Sequence, residues 1–269
     1  MIGVELRKLV RRPRTWVSIA LLCGLPGLVA VFVAATGVGP GPGEEPAFLA
    51  AVLSNGALFP AAALAIVLPL FLPVAVAVVA GDAVAGEASA GTLRYLLLRP
   101  VGRTRLLVAK LVAMVAYVLG AVTLVAVTAL GFGVSLFPSE PAAITTVSGV
   151  SISTGELVAR MAAAVCYVAL SMLGVGAISL FLSTVSDSAL GATLGALAAL
   201  VASQVLITLD AAAAVAPYLP TRYWLAWIDL FREPIPWRDL QRGLGIQAVY
   251  VAVFLGAAWA NFATKDVKT

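Results

Sequence analysis

The sequence holds no histidine, and its two cysteines, Cys23 and Cys166, sit in separate apolar runs far from any polar loop. A serine dyad of the rhomboid kind and an intramembrane H-E-x-x-H metalloprotease both need imidazole, as general base or as ligand, so neither chemistry is open to this chain. A zinc or iron site needs clustered His, Cys or carboxylates, and a disulfide framework needs cysteines paired in an oxidising loop. Both cysteines read instead as small packing residues. An intramembrane aspartyl protease requires two carboxylates that meet inside the membrane. Asp82 and Asp210 are the candidates, and the order of the apolar runs puts them near opposite faces. No G-x-x-x-x-G-K-[S/T] loop is present to cradle the phosphates of ATP. The residues point to no catalytic, cofactor-binding or metal-binding site, and the driving force for any work must come from another polypeptide.

The elements that carry these residues are set by lipid. The chain is 62% hydrophobic and 11% charged, with a mean hydropathy of +1.06, where an ordinary soluble domain is about a quarter charged. Its apolar residues fall in runs of about 20, the length that crosses a hydrocarbon core of roughly 30 Å. The expected fold class is therefore all-α integral membrane, a single transmembrane domain over 1–269 with six transmembrane helices. The spans read as 16–35, 58–79, 106–132, 157–182, 190–214 and 244–262. Residues 1–14 read as an N-terminal amphipathic interfacial helix, with Ile2, Leu6, Leu9 and Val10 on one face and Lys8, Arg11 and Arg12 largely elsewhere, ended by Pro13. The first apolar run exceeds the 7–15 residues usual in a signal peptide, so it is expected to be retained. Pro60, Pro69 and Pro73 predict a bent second span. Residues 217–242, with Tyr218, Tyr223, Trp224, Trp227 and Trp237, predict a short outer helical hairpin at the membrane boundary before the last span.

The charges serve topology. With the amino terminus in the cytoplasm, twelve of the 17 Lys and Arg fall inside, against Arg160, Arg222, Arg232, Arg238 and Arg242 outside. The positive-inside rule then places both termini in the cytoplasm of a bacterial inner membrane. The net charge of +4 is used here rather than on nucleic acid. The spans are nearly free of charge, and Lys110, Arg160 and Asp210 lie within snorkelling reach of an interface, which argues against an ion-coupled carrier. Small residues at Gly131-x-Gly133, Gly174-x-Gly176 and Gly191-x3-Gly195-x3-Ala199 offer close-packing surfaces.

The informative stretch is the polar segment 81–105 between the second and third spans. It reads Gly81-Asp82-x4-Glu87-x3-Gly91-Thr92-Leu93-Arg94-Tyr95-Leu96-Leu97-Leu98-Arg99-Pro100-Val101-Gly102-Arg103, with Lys110 after six intervening residues. This order closely resembles the signature of ABC transporter permeases of the type-2 exporter class, which include drug, antibiotic and polysaccharide export permeases and are similar to the copper-maturation permease family. Glu5-Leu6, Phe181-x-Ser183-x3-Asp187 and Phe262-x2-Lys265-Asp266-Val267 resemble the same family more weakly. The resemblance implies a non-catalytic permease that works as a dimer, as a homo- or heterodimer, with two ABC ATPase subunits that bind ATP and Mg.

Physically, a short helix from about Glu87 to Leu98 would offer Leu93, Leu96 and Leu97 to a groove on the ATPase, while Arg94, Arg99 and Arg103 pair with acids there or with lipid headgroups. Gly91 and Thr92 lie inside that helix, and Pro100 and Gly102 break it. Glu5, Lys8, Arg11 and Arg12 of the interfacial helix are expected to take part in the coupling. The function expected is export of an amphipathic or hydrophobic compound, drug-like, antibiotic-like or lipid, with a nucleotide-independent scaffold or passive channel as the alternative.

Overall fold

The computed structural model describes residues 1–37, 48–53, 55–91, 102–138, 144–145 and 151–264. Residues 92–101 of the polar segment and the Lys265-Asp266-Val267 ending lie outside them. The described residues form helices α1 (Ile2–Arg11), α2 (Pro13–Thr36), α3 (Leu49–Val52), α4 (Phe59–Val67) and α5 (Phe71–Ser89). Then come α6 (Arg103–Leu136), α7 (Thr154–Val185), α8 (Ala189–Thr208) and α9 (Trp237–Thr264). Two-residue strands β1 (Ile144–Thr145) and β2 (Ser151–Ile152) pair antiparallel between α6 and α7. Six helices, α2 and α5 to α9, are long and apolar enough to cross a membrane. The protein is an all-α, multi-pass membrane fold.

The break between α1 and α2 falls where proline chemistry puts it. Arg12, forced out of the helical region by the following proline, is extended at φ −77°, ψ 126°, and Pro13 opens α2, where its missing N–H costs nothing. The second apolar run is not one helix. It starts in a 3₁₀ turn at Gly56–Leu58, runs through α4, breaks at Leu68–Leu70 and resumes as α5. Pro69 sits in the break and Pro73 in the first turn of α5, so the bend expected of the prolines is a full interruption. The fifth helix stops at Thr208 rather than 214, and Asp210 begins a 3₁₀ turn. The last begins at Trp237, seven residues before its apolar run, because Arg238, Asp239 and Arg242 lie on its polar first turns.

The core lies between α4, α5, α6 and α7, with Phe59, Leu64, Leu68, Leu72, Val118, Val122 and Met172 fully buried. Gly56 and Gly133 let α4 and α6 meet backbone to backbone: a Cβ on either would strike the other's carbonyl oxygen. Gly174 lies under Gln247 and Gly176 under Met114, as small residues at helix crossings should. The Gly191, Gly195 and Ala199 stripe instead faces outward from α8, with its glycines clear of any backbone approach. Cys23 is half-buried and Cys166 exposed, so Cys166 packs against no protein core.

Trp224 and Trp227 are packed into protein rather than exposed as surface anchors. The 3₁₀ helix Trp224–Phe231 buries both, and Phe48 stacks on Trp227 at 5.8 Å and meets Phe231 edge-on at 4.9 Å. Arg160 of α7 locks this segment down. Its guanidinium donates to the Glu156 carboxylate at 2.5 Å, the Glu233 carboxylate at 2.6 Å and the carbonyl of Leu230 at 2.9 Å. Arg160 is therefore buried and paired, not snorkelling, and its distant partner is one that sequence spacing could not reveal.

Candidate functional site

The charged residues of the polar segment and of α1 converge on one end of the bundle, here the α1 side. α1 buries none of its residues fully and lies against α6 and the start of α2. What fixes it is charge. Lys8 Nζ donates to Glu5 Oε1 at 2.8 Å and to Glu87 Oε1 at 2.9 Å. Lys110 Nζ lies 2.7 Å from Glu87 Oε2 and 3.6 Å from Glu5 Oε2. The four groups form a closed ring of alternating sign that joins α1, α5 and α6. Glu87 and Lys110 are its buried half, their side chains 5% and 1% exposed.

Each member is held for a local reason. Glu87 is near the C-terminus of α5, where the helix macrodipole disfavours a carboxylate, so its two ammonium partners supply the compensation the helix does not. Lys110 enters the ring about two turns into α6 and also donates to the Ala83 carbonyl at 2.5 Å. Burial works to lower the pKa of Lys8, yet its hydrogen bonds to Glu5 and Glu87 outweigh that and raise it above its ordinary 10.5. Lys8 stays a cation throughout the physiological range.

A second clasp lies one turn deeper. Arg12 and Arg14 both pair with the Asp82 carboxylate, Arg14 at 3.0 Å. The carboxylate of Asp82 lies where a Cβ on Gly86 would be, and a Cβ on Gly81 would strike Thr193 of α8, so both glycines keep this turn open to its neighbours. From α7, Ser183 Oγ donates to the Gly81 carbonyl at 2.6 Å and accepts from the Val84 and Ala85 amides at 3.0 and 2.9 Å. The last turns of α5 are thus gripped by α1, α2, α6 and α7 at once. The cleft among these charges, lined by Glu5, Lys8, Arg12, Arg14, Asp82 and Lys110, is about 50 Å³, room for water but not for cargo. Its chemistry is mechanical attachment rather than turnover.

The sequence-predicted coupling residues divide into three groups. Glu87, Glu5, Lys8 and Arg12 come together in the ring and clasp. Glu87 is consequently part of α5 and turned into the protein, not the first residue of a separate helix. That helix cannot run unbroken from Glu87 to Leu98, since α5 ends at Ser89 and Gly91 takes φ +66°, a left-handed conformation suited to glycine. Arg103 opens α6 and donates to the Ala263 carbonyl at 2.9 Å, capping the last turn of α9. Arg11 is exposed. Thr92, Leu93, Arg94, Leu96, Leu97, Arg99 and Pro100 lie outside the described residues.

Four residues of the site were absent from the sequence-predicted set, Arg14 among them. Asp82 and Lys110 had a signal, each being an ionisable residue inside an otherwise apolar run. Ser183 had none beyond its place in a weak motif. Among the described residues no group of three His, Cys, Asp or Glu is placed to hold a metal.

A family model for the ABC-2 family transporter protein matches residues 1–229, from α1 through the Trp224–Phe231 helix. The chain belongs to the ABC-2 transporter family. It is a membrane permease of an ABC transporter, and its family generally supplies non-catalytic membrane components that act with ATPase partner subunits. No curated protein matches the sequence significantly. The ring and clasp sit at the helix end that continues into residues 92–101.

Proposed function

We propose that this permease is the membrane half of an exporter that moves an amphipathic or hydrophobic compound, drug-like, antibiotic-like or lipid, out of the cytoplasm at the expense of ATP. The observation that carries the reading is the ring of Glu5, Lys8, Glu87 and Lys110. It ties the helix feeding the polar segment to α1 and to the helix that follows the segment.

Two ATPase subunits hold Mg-ATP and dock on residues Gly91 to Arg103 of two permease chains, identical or paralogous. Leu93, Leu96 and Leu97 fill an ATPase groove, and Arg94 and Arg99 pair with its acids. Closure of the ATPases on ATP displaces this segment. Because α5 is bonded to α1 and α6, the three move together, and α2, α5 and α8 shift to open an outward path. The membrane is the bacterial cytoplasmic membrane with both termini inside. In support, Arg7, Lys8, Arg11, Arg12 and Arg14 share the α1 side with the end of α9, as the positive-inside rule requires.

The test is Leu96→Asp in the co-expressed transporter. The variant should insert normally yet lose both the co-purifying ATPase and cargo efflux. Normal recovery of the ATPase would remove the coupling assignment, and a wild-type chain that purifies alone without ATP hydrolysis would make the protein a scaffold or channel.

A further inference from the structure

Lipid offers no hydrogen bonds, so backbone outside a helix is tolerated at depth only where protein covers it or where it lines a polar cavity. Two such stretches meet on the side opposite α1. One is the break at Leu68–Leu70 between α4 and α5. The other is the turn at 220–223, which is pinned far below the start of α9. The Pro220 carbonyl accepts from Gln247 Nε2 at 2.6 Å and the Tyr223 carbonyl from Tyr167 Oη at 2.8 Å. Gln247 stands ten residues after Trp237 in α9, about 15 Å down the helix.

Between the two stretches is a cavity of about 130 Å³, walled by Leu68, Pro69, Gln204, Ile207, Arg222 and Trp224 among others. Its polar members are Gln204, Arg222 and Thr221, the last held to the Ser203 hydroxyl at 2.7 Å. Arg222 is exposed at the rim of the cavity and makes no ion pair among the described residues, whereas Arg160 and Arg232 on the same side both have carboxylate partners. Gln204 adds an amide to the wall at the end of α8. The planar fork of the Arg222 guanidinium suits a carboxylate or phosphate. Leu68 and Ile207 extend the wall in apolar surface.

We infer that this cavity is a binding site for an amphiphile with a carboxylate or phosphate head, whose oxyanion sits on Arg222 and whose apolar body lies against the break in the second span. Resting on the exporter reading, this narrows the cargo to anionic amphiphiles.

The test uses the purified full chain in neutral-detergent micelles, titrated with a bromine-tagged fatty acid and with the matching bromine-tagged alcohol. Bromine quenches tryptophan on near contact, and Trp224 is in the wall. Saturable quenching by the acid is expected, on the order of tenfold tighter than by the alcohol, since a charge-assisted bond is lost with the latter. Arg222→Gln should weaken the acid by a similar factor with an unchanged thermal unfolding temperature. Arg238→Gln, an exposed arginine outside the cavity wall, should leave it unaltered. Equal curves for acid and alcohol, or indifference to Arg222→Gln, would overturn the site. None of these readings needs the ATPase, so the site and the exporter reading fail separately. In the assembled transporter, ATP-driven release of the bound acid marks it as cargo, and retention through turnover would replace cargo with a resident membrane lipid.

Discussion

Replacing Lys110 by methionine tests the ring where it is most buried. Methionine nearly matches the volume and shape of the lysine stem, so the change is almost purely one of charge. It removes the contact to Glu87 at 2.7 Å, the one to Glu5 at 3.6 Å and the hydrogen bond to the Ala83 carbonyl. At an effective dielectric of about 20, a pair at that shorter separation attracts by about 6 kcal/mol before desolvation is charged against it. Net of desolvation, loss of one partner of a buried pair costs about 3–5 kcal/mol, because a charge is left uncompensated. Here Lys8 alone would face two carboxylates. For a chain of this size that corresponds to a fall of roughly 6–20 °C in unfolding temperature, read by tryptophan fluorescence of the protein in detergent. The double variant Lys110→Met with Glu87→Leu removes one charge of each sign and leaves the Lys8 and Glu5 pair, 2.8 Å apart, intact. It should recover most of the loss, with a coupling energy of at least about 2 kcal/mol in the mutant cycle. A single variant as stable as wild type, or a double variant whose loss is the sum of the two singles, would refute the ring.

Gly133→Ala places a Cβ against the backbone carbonyl of Gly56, which cannot turn aside as a side chain could, and should cost about 1–3 kcal/mol in the same melting assay. Gly131→Ala, with open space around it, should be neutral and serves as its control. Arg160→Met strands the Leu230 and Arg232 carbonyls and the half-exposed Glu156 and Glu233 carboxylates, at a cost of about 1–3 kcal/mol. Amide exchange should then rise over 224–233 while the α1 side stays protected.

The membrane class and its helices were legible because lipid imposes one rule along the whole chain, and a run of apolar residues reports it wherever it occurs. Pro13 and Pro69 likewise announce their effects locally, through a missing N–H and a fixed φ. What sequence could not supply is pairing between residues far apart in the chain. Lys110 looked like a snorkelling lysine because its partners, Glu5 and Glu87, stand 105 and 23 positions away. Arg160 was misjudged for the same reason, its partner Glu233 lying beyond two further helices. Trp224 and Trp227 have the composition of an interfacial belt and the location of a core, since amphipathic rings satisfy either setting and only the fold over α7 decides. Gly191 and Gly195 show the converse, a packing pattern whose face turned out to point away from the bundle.

The interruption at Leu68–Leu70 makes the second span two rods with a pivot between them. The lower rod, α5, is bonded through its far end to the ring and clasp. The upper rod, α4, is anchored to α6 by the glycine contact at Gly56 and Gly133. Because α6 is held both by the ring and at Gly133, a tilt imposed on α5 would turn it relative to α4 at the pivot. The largest angular change in such a stroke falls at Pro69, in the wall of the Arg222 cavity. On that geometry the device would amount to a crank whose throw reaches the wall of the Arg222 cavity.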